Sequence, residues 1–478
     1  MYSLNEKISE MPNNCHMFNV IMTKHSPLGA GGIKPRLSRF DLTMIVISLV
    51  IGMGIFKTPG DVALKAGNVG LFFAAWIFGG IISLCGALTF AEIGARYPGA
   101  GGFYKVLSYC YHPSIAFMAE WVLAIANIAS IAAVAMIGAE YISPILMPQS
   151  LQNDTGVEII TISSVLILYV VNYLGIKMSA RIQNLLTIFK VTMIILLCTA
   201  VFKHDAPPPI TTIIPQHNNI FTAFGLCLIP VFFTYTGYAL TINFGADILN
   251  PKKNIPRAIF WGIGTVIVLY LAINYAYYKV LGFGGLQQTN VLAAKMAGVV
   301  FGTMGYKITS LLMFLSVMAY VNVYILSNPR VFYAMAEDGI LPKIFKRVNP
   351  KTQVQEFCMT VYVAAILLFL FSAGSFSALL SYTMFFNTIG LILGASAIFI
   401  LRRKTKELDG TGIFTIRWYP LIPLVFIAAY LFVTISIFVG DPKACFVCLG
   451  GFALGLIIYY AATRGRKSRP LSCSNDDK

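Results

Sequence analysis

The chain has 478 residues, of which 57% are hydrophobic and 11% charged, with a mean hydropathy of +0.76. An ordinary soluble domain carries about 25% charged residues, so this composition excludes a water-soluble globule, a secreted disulfide scaffold and a disordered chain. The net charge of +16 does not mark a nucleic-acid binder, because the cations are spread along the chain as a membrane topology spreads them.

Residues 1–39 are polar and lack the apolar core and small-residue cleavage site of a secretory signal; they read as a cytoplasmic tail. Twelve apolar runs follow, at about 40–60, 69–94, 114–146, 158–175, 182–202, 220–247, 257–281, 300–328, 357–373, 376–401, 418–440 and 444–463. A bilayer-spanning helix needs about 20 such residues, so the predicted fold is an all-α polytopic membrane protein with 12 transmembrane helices. If the first tail is inside, most of the 35 Lys and Arg fall in connections on that same side, among them Arg36, Arg96, Lys252, Arg330 and Arg402. The positive-inside rule then places both termini, including the tail 464–478, in the cytoplasm.

Two of these runs carry interruptions. Within the first lies Ile51-Gly52-Met53-Gly54-Ile55-Phe56. Glycine weakens a helix by about 1 kcal/mol relative to alanine and also eases close helix packing in membranes, so the pair alone leaves unwinding and packing open. The sixth run contains Pro230-Val231-Phe232-Phe233-Thr234-Tyr235-Thr236-Gly237-Tyr238. Two interrupted spans five helices apart point to a transporter with inverted repeats, whose half-helix ends bind solute near the membrane midplane. Between them, Lys190 lies well inside the fifth run, where an ammonium costs about 2.5–3.5 kcal/mol; snorkelling is the structural reading.

Metal and redox chemistry have little to stand on. His16, His25, His112, His204 and His217 fall in tails or loops, and Cys445 and Cys448 form a CxxC with no histidine nearby. That pair reads as two small apolar residues on one helix face, and no cofactor is expected.

Four stretches together resemble amino acid permeases of the amino acid–polyamine–organocation superfamily, over about Phe40 to Arg403. They are Gly52 to Phe56; Ala91-Glu92-Ile93-Gly94-Ala95-Arg96-Tyr97-Pro98-Gly99-Ala100-Gly101-Gly102-Phe103-Tyr104; Phe233 to Gly237 with Asp247-Ile248-Leu249-Asn250-Pro251 and Ile255-Pro256-Arg257; and Pro329-Arg330-Val331-Phe332-Tyr333-Ala334-Met335-Ala336-Glu337-Asp338-Gly339. The resemblance implies a five-plus-five inverted repeat with helices one and six unwound. Residues 40–202 and 220–401 form the two repeats, and 418–463 add two helices. It also implies alternating access.

Mapped onto the family pattern, the amides of Met53, Gly54 and Ile55, beside Gly52, hold a substrate carboxylate. Such a site suits the positive end of a helix. The carbonyls of Val50, Phe233 and Thr236 receive the ammonium. The resemblance makes Phe233 an aromatic gate, leaves room at Gly237 for the substrate side chain, and puts Asn322 near the site, with a simple interhelical hydrogen bond as its other reading. It sets Lys190 against the first interruption, where sodium-coupled relatives of the fold hold a cation, so transport without sodium is expected. Glu92 and Asp247 read as inner-gate ion-pairing residues near Arg96 and Lys252, or as ordinary interfacial charges; Ala246 departs from the acidic residue common there.

The expected activity is secondary active transport of amino acids, by exchange or proton coupling. Neutral substrates are favoured, because the stretches of helices one and six contain no carboxylate before Asp247. A polyamine or cationic amino acid permease and a non-transporting amino acid sensor are the competing readings; no polar cluster suits a membrane enzyme. Residues 143–157 contain no cysteine, so no disulfide-linked heavy chain is expected, and the partners are the amino acid and the lipid bilayer.

Overall fold

The computed structural model describes residues 33–202, 220–289, 292–370, 376–440 and 442–463. Most of the two expected tails, with His16 and His25, lies outside them, as do His204 and His217. The described residues are helical, with two isolated β-bridges. The helices are α1 (Arg39–Val50), α2 (Gly54–Ala66), α3 (Val69–Arg96), α4 (Gly102–Cys110), α5 (Pro113–Leu146), α6 (Asp154–Tyr173), α7 (Ile176–Cys198) and α8 (Ile220–Tyr235). They continue as α9 (Pro251–Gln287), α10 (Leu292–Ser327), α11 (Pro329–Glu337), α12 (Glu356–Leu370), α13 (Phe376–Lys404), α14 (Leu421–Gly440) and α15 (Pro442–Thr463).

Among the described residues eleven spans are long and apolar enough to cross a membrane, Arg39–Ala66 and Ile220–Asn243 each counting as one. The expected span at 357–373 coincides over residues 357–370 with the shorter apolar helix α12; residues 371–373 lie outside the described residues. Local chemistry starts several helices. Ser38 and Asp41 form a reciprocal capping box on α1, with Asp41 N donating to Ser38 Oγ at 3.2 Å and Ser38 N to Asp41 Oδ2 at 2.9 Å. Asn68 caps α3 through the Leu71 amide at 2.8 Å.

The helical path through the first span stops at Val50. Ile51 turns away with ψ near 89°, the Gly52 amide donates back to the Val50 carbonyl at 2.9 Å, and α2 begins at Gly54. In the sixth span α8 stops at Tyr235, and a 3₁₀ turn, Tyr238–Asn243, follows Gly237.

One end of the bundle is closed by buried ion pairs. Glu92, at the end of α3, is fully buried, and its two oxygens take four donors, each at 2.7 Å: Arg96 Nε, Arg402 Nε, Arg402 Nη2 and the Ile416 amide. Arg96 reaches on to Asp409 at 2.6 Å, and the Arg402 guanidinium lies 3.7 Å from the centre of the Tyr419 ring. Asp247 pairs with Arg330 Nε at 2.7 Å, not with the nearby Lys252, which is exposed. Burial decides this, since a buried carboxylate needs an equally buried cation. The segment before α1 is strapped across the same end: the amides of Arg36 and Leu37 donate to the Asp247 carbonyl at 2.7 and 2.9 Å, and Lys34 N donates to Gln353 Oε1 at 2.7 Å.

Removing one member of a buried charge cluster strands the others, at about 3–5 kcal/mol, whereas a partly exposed pair contributes about 0–1 kcal/mol. Glu92→Ala is therefore expected to lower the unfolding temperature of the purified protein far more than Lys105→Ala, whose pairs with Glu337 and Asp338 are partly exposed. Equal shifts in a thermal unfolding assay would count against a structural role for Glu92.

Candidate substrate site

The two interruptions cross each other. A Cβ added to Gly54 would lie 2.8 Å from Thr234 Oγ1 and 3.2 Å from Thr234 Cα, so glycine is what lets the start of α2 approach α8. The contact is fastened by Thr58, which donates to the Gly54 carbonyl at 2.9 Å and whose hydroxyl lies 2.8 Å from that of Thr234. Gly237 has φ near +113°, a conformation that L side chains rarely adopt, and a Cβ there would collide with the Leu49 carbonyl.

A cavity lies at this crossing, with about 500 Å³ of space not occupied by protein, counting the part open to solvent. Its walls include Val50, Gly52, Met53 and Gly54 from the first interruption and Phe233, Thr234 and Thr236 from the second. Asn127 and Ser130 of α5, Tyr320 and Tyr324 of α10 and Asn387 of α13 complete the polar part of the wall, and none of the lining residues is ionised at neutral pH.

The peptide groups facing this space are the ones that helix geometry leaves over. The first amides of a helix have no intrahelical acceptor, and among the described residues no hydrogen bond outside the helices is made by the amides of Met53, Gly54 or Ile55. The positive end of α2 therefore faces the cavity with open donors. At the end of α8 the Phe233 carbonyl already accepts from the Thr236 hydroxyl at 2.8 Å and amide at 3.3 Å. The Val50 carbonyl accepts from the Gly52 amide and, at 3.0 Å, from the Tyr270 hydroxyl.

Of the residues expected at the site, Val50, Gly52, Met53, Gly54, Phe233 and Thr236 line the cavity; Ile55, Gly237 and Asn322 do not. Asn322 is fully buried in an amide chain, accepting from Asn172 Nδ2 and donating to Gln183 Oε1, both at 2.7 Å. Both functional ends of its side chain are thereby engaged between helices α6, α7 and α10. Gly237 does not leave space for a ligand side chain; its lack of a Cβ admits the backbone of α1. Lys190 is fully buried behind the cavity, its Nζ donating to the Ile51 carbonyl at 2.5 Å and to Ser48 Oγ at 3.3 Å. Glu92 and Asp247 lie in the ion-paired end described above.

The expectations from sequence passed over Asn127, Ser130, Tyr320 and Asn387. The spacing of Asn127 and Ser130, three apart in an apolar stretch of α5 between Glu120 and Glu140, was a readable signal of one polar face. Tyr320 has none in its own stretch; its ring lies 3.2 Å from where a Gly52 Cβ would stand, a contact made only by folding.

A polytopic helical bundle with an uncharged polar cavity at two crossed helix interruptions defines a membrane permease for small solutes. Residues 37–454 match the amino acid permease family, and the chain belongs to it. It is 30% identical over 453 residues to the serine/threonine exchanger SteT of Bacillus subtilis (strain 168), covering 91% of this chain and 99% of that one. It is 25% identical over 443 residues to large neutral amino acids transporter small subunit 2 of Mus musculus, covering 90% and 82%. With the human cystine/glutamate transporter it shares 27% identity over 409 residues, covering 83% and 79%.

The positive φ and the Leu49 contact make any side chain at 237 costly, about 1–3 kcal/mol for the backbone alone. Gly237→Ala is expected to lower thermal stability and to reduce uptake of small and large substrates in the same proportion. A size-selective loss with unchanged stability would restore the substrate-room role.

Proposed function

We propose that the protein exchanges neutral amino acids across the cell membrane by alternating access, without sodium. The observation that carries this reading is the cavity at the crossing of the two interruptions, where open amides of α2 face the carbonyl-bearing ends of α1 and α8. An α-amino acid brings a carboxylate and an ammonium, and burying either without partners costs several kcal/mol. The Met53, Gly54 and Ile55 amides receive the carboxylate, the carbonyls of Val50, Phe233 and Thr236 receive the ammonium, and half-buried Phe233 screens the site from one side. Absence of ionised side chains from the wall favours a neutral substrate, and the similarity to an exchanger named for serine and threonine supports exchange.

Lys190 acts in this scheme as a fixed cation, filling with its ammonium the place that a bound sodium ion would otherwise take beside the first interruption and tying α7 to α1. The two sets of five spans, 40–202 and 220–401, work as inverted repeats, with both termini in the cytoplasm and the ion pairs of Glu92 and Asp247 at the inner gate. Because residues 143–157 offer no cysteine for a disulfide-linked partner, the chain works without one.

Proteoliposomes loaded with single unlabelled amino acids test the reading. Labelled neutral amino acids are expected to enter faster against an internal amino acid than against none, with equal rates in sodium and choline buffers. A sodium requirement would refute the role given to Lys190, and saturable binding without flux would indicate a sensor. Phe233→Ala is expected to slow exchange several-fold, and Lys190→Ala to abolish it while leaving the protein in the membrane.

A further inference from the structure

Glu120 stands about two turns into α5, which begins at Pro113. It is buried, its Oε1 has no hydrogen-bond partner, and among the described residues no ion pair reaches it. Glu120, Asn127 and Val134 recur at a spacing close to two full turns, so they share one face of the helix. Asn127 and Val134 line the cavity, and Glu120 continues that stripe about 10 Å further toward the start of α5. This start lies at the ion-paired end: the Tyr109 carbonyl, in the last turn of α4, accepts from Lys404 at 2.7 Å, two residues past the Arg402 that holds Glu92.

A carboxylate buried in a span is costly without a cation beside it, and none stands there. Helices α4, α6, α10, α12, α13 and α15 pack against α5, but the described charges on them are engaged elsewhere or exposed. Lys105 pairs with Glu337 and Asp338, Arg402 with Glu92, Lys404 with the Tyr109 carbonyl, Lys295 with Thr289 and Glu356 with Asn349. Arg403, Lys307, Asp154 and Glu158 are exposed. No tyrosine or cysteine of these helices acts on Glu120 electrostatically. Its neighbours one turn away, Ala116, Phe117, Leu123 and Ala124, are apolar and buried. A metal ion needs several ligands, and among the described residues no group of His, Cys, Asp and Glu converges to hold one. A proton, which removes the charge outright, is the ligand this surrounding suits.

We propose that Glu120 is a proton-binding site that the ion-paired end of the transporter must fill in order to close. The inference rests on the alternating-access exchange reading and adds a proton to what that end binds. While the end is closed, the dry stripe holds the neutral acid. When it opens, water reaches the carboxyl, which gives its proton to a water molecule and becomes a solvated carboxylate. Closing dehydrates the group again, so it first takes a proton back from water on the same side. Gain and loss balance, and one-for-one exchange moves no net proton across the membrane. A hydrated glutamate is almost wholly ionised at neutral pH, so the fraction able to close falls up to about tenfold for each unit of rise in pH.

The test is exchange by the full chain in proteoliposomes of one orientation, with the pH of the two faces set separately. Raising the pH from about 6 to about 8 on the face where the ion-paired end opens is expected to slow exchange about tenfold or more. The same rise on the other face is expected to leave the rate within about twofold. Glu120→Gln keeps the shape of the neutral acid and cannot ionise, so its exchange is expected to lose this dependence; a merely structural role would lower the rate at every pH and keep the profile. Glu140→Gln, at an exposed carboxyl of the same helix, is expected to keep the wild-type profile. A profile that is flat in the wild type, that follows both faces equally, or that survives Glu120→Gln overturns the inference while the exchange reading stands. A wild-type protein that exchanges no amino acid removes both. Should Glu120→Gln fail to fold, dicyclohexylcarbodiimide, an apolar reagent that adds to protonated carboxyls, is applied to the wild-type protein. An adduct at Glu120 that forms less as the pH of that face rises supports the inference; a Glu120 left unmodified, or modified equally at every pH, overturns it.

Discussion

Peptide groups in a bilayer have no water to bind, and every helix interruption leaves some of them without an internal partner. This constraint organises the structure. The freed amides at Met53 and Gly54 are tolerated because they open on a polar cavity where the two interruptions cross, and the Val50 and Phe233 carbonyls because Gly52, Tyr270 and Thr236 donate to them. The crossing depends on three absent side chains: Gly54 against Thr234, Gly237 against the Leu49 carbonyl, and Gly52 against the Tyr320 ring. With a Cβ at any of these positions the rods separate or the neighbour moves, and the peptide groups no longer converge.

Around this crossing the fold uses hydrogen bonds where it must hold helices without charge. Ser179, Asn172, Asn322, Gln183 and Thr187 form a buried chain linking α6, α7 and α10, with successive contacts of 2.5 to 3.2 Å. One turn further along α7, Lys190 continues the connection to the Ile51 carbonyl. Such networks are costly if half satisfied and specific when complete, so α7 is registered against both α1 and α10. The Lys190 amine is held there because Ile51 has left the helix and offers its carbonyl.

Among the described residues, the buried ion pairs of Glu92 and Asp247 lie at one end of the bundle. Glu92 with Arg96 and Arg402, and Asp247 with Arg330, tie the ends of α3 and α13 and the exit of the sixth span to α11. The strap through Arg36 and Leu37 rests on the same Asp247 backbone. Amide, hydroxyl and Lys190 hydrogen bonds hold the helices near the cavity, and the pairs of Glu92 and Asp247 hold them where the spans emerge.

Composition and run length determined that the chain spans a membrane, because bilayer thickness sets a helix length that any sequence reveals. Glycine and proline placement drew attention to both stretches, since backbone permissiveness is a property of the residue itself, but at Gly52 and Gly54 it left unwinding and close packing open. Partnerships between distant residues were decided by the tertiary structure alone. Asn322 left a ligand and an interhelical hydrogen bond equally open until Asn172 and Gln183 took its amide. Gly237 read as room for a substrate until the Leu49 carbonyl occupied the space, and Asp247 found Arg330, 83 residues away, in preference to Lys252. Tyr270 carries no local signal of its bridge to Val50 and Thr234. Hydropathy and glycine content act along a few turns of one chain segment, whereas donors and acceptors are matched through space, and which ones meet depends on how the helices cross.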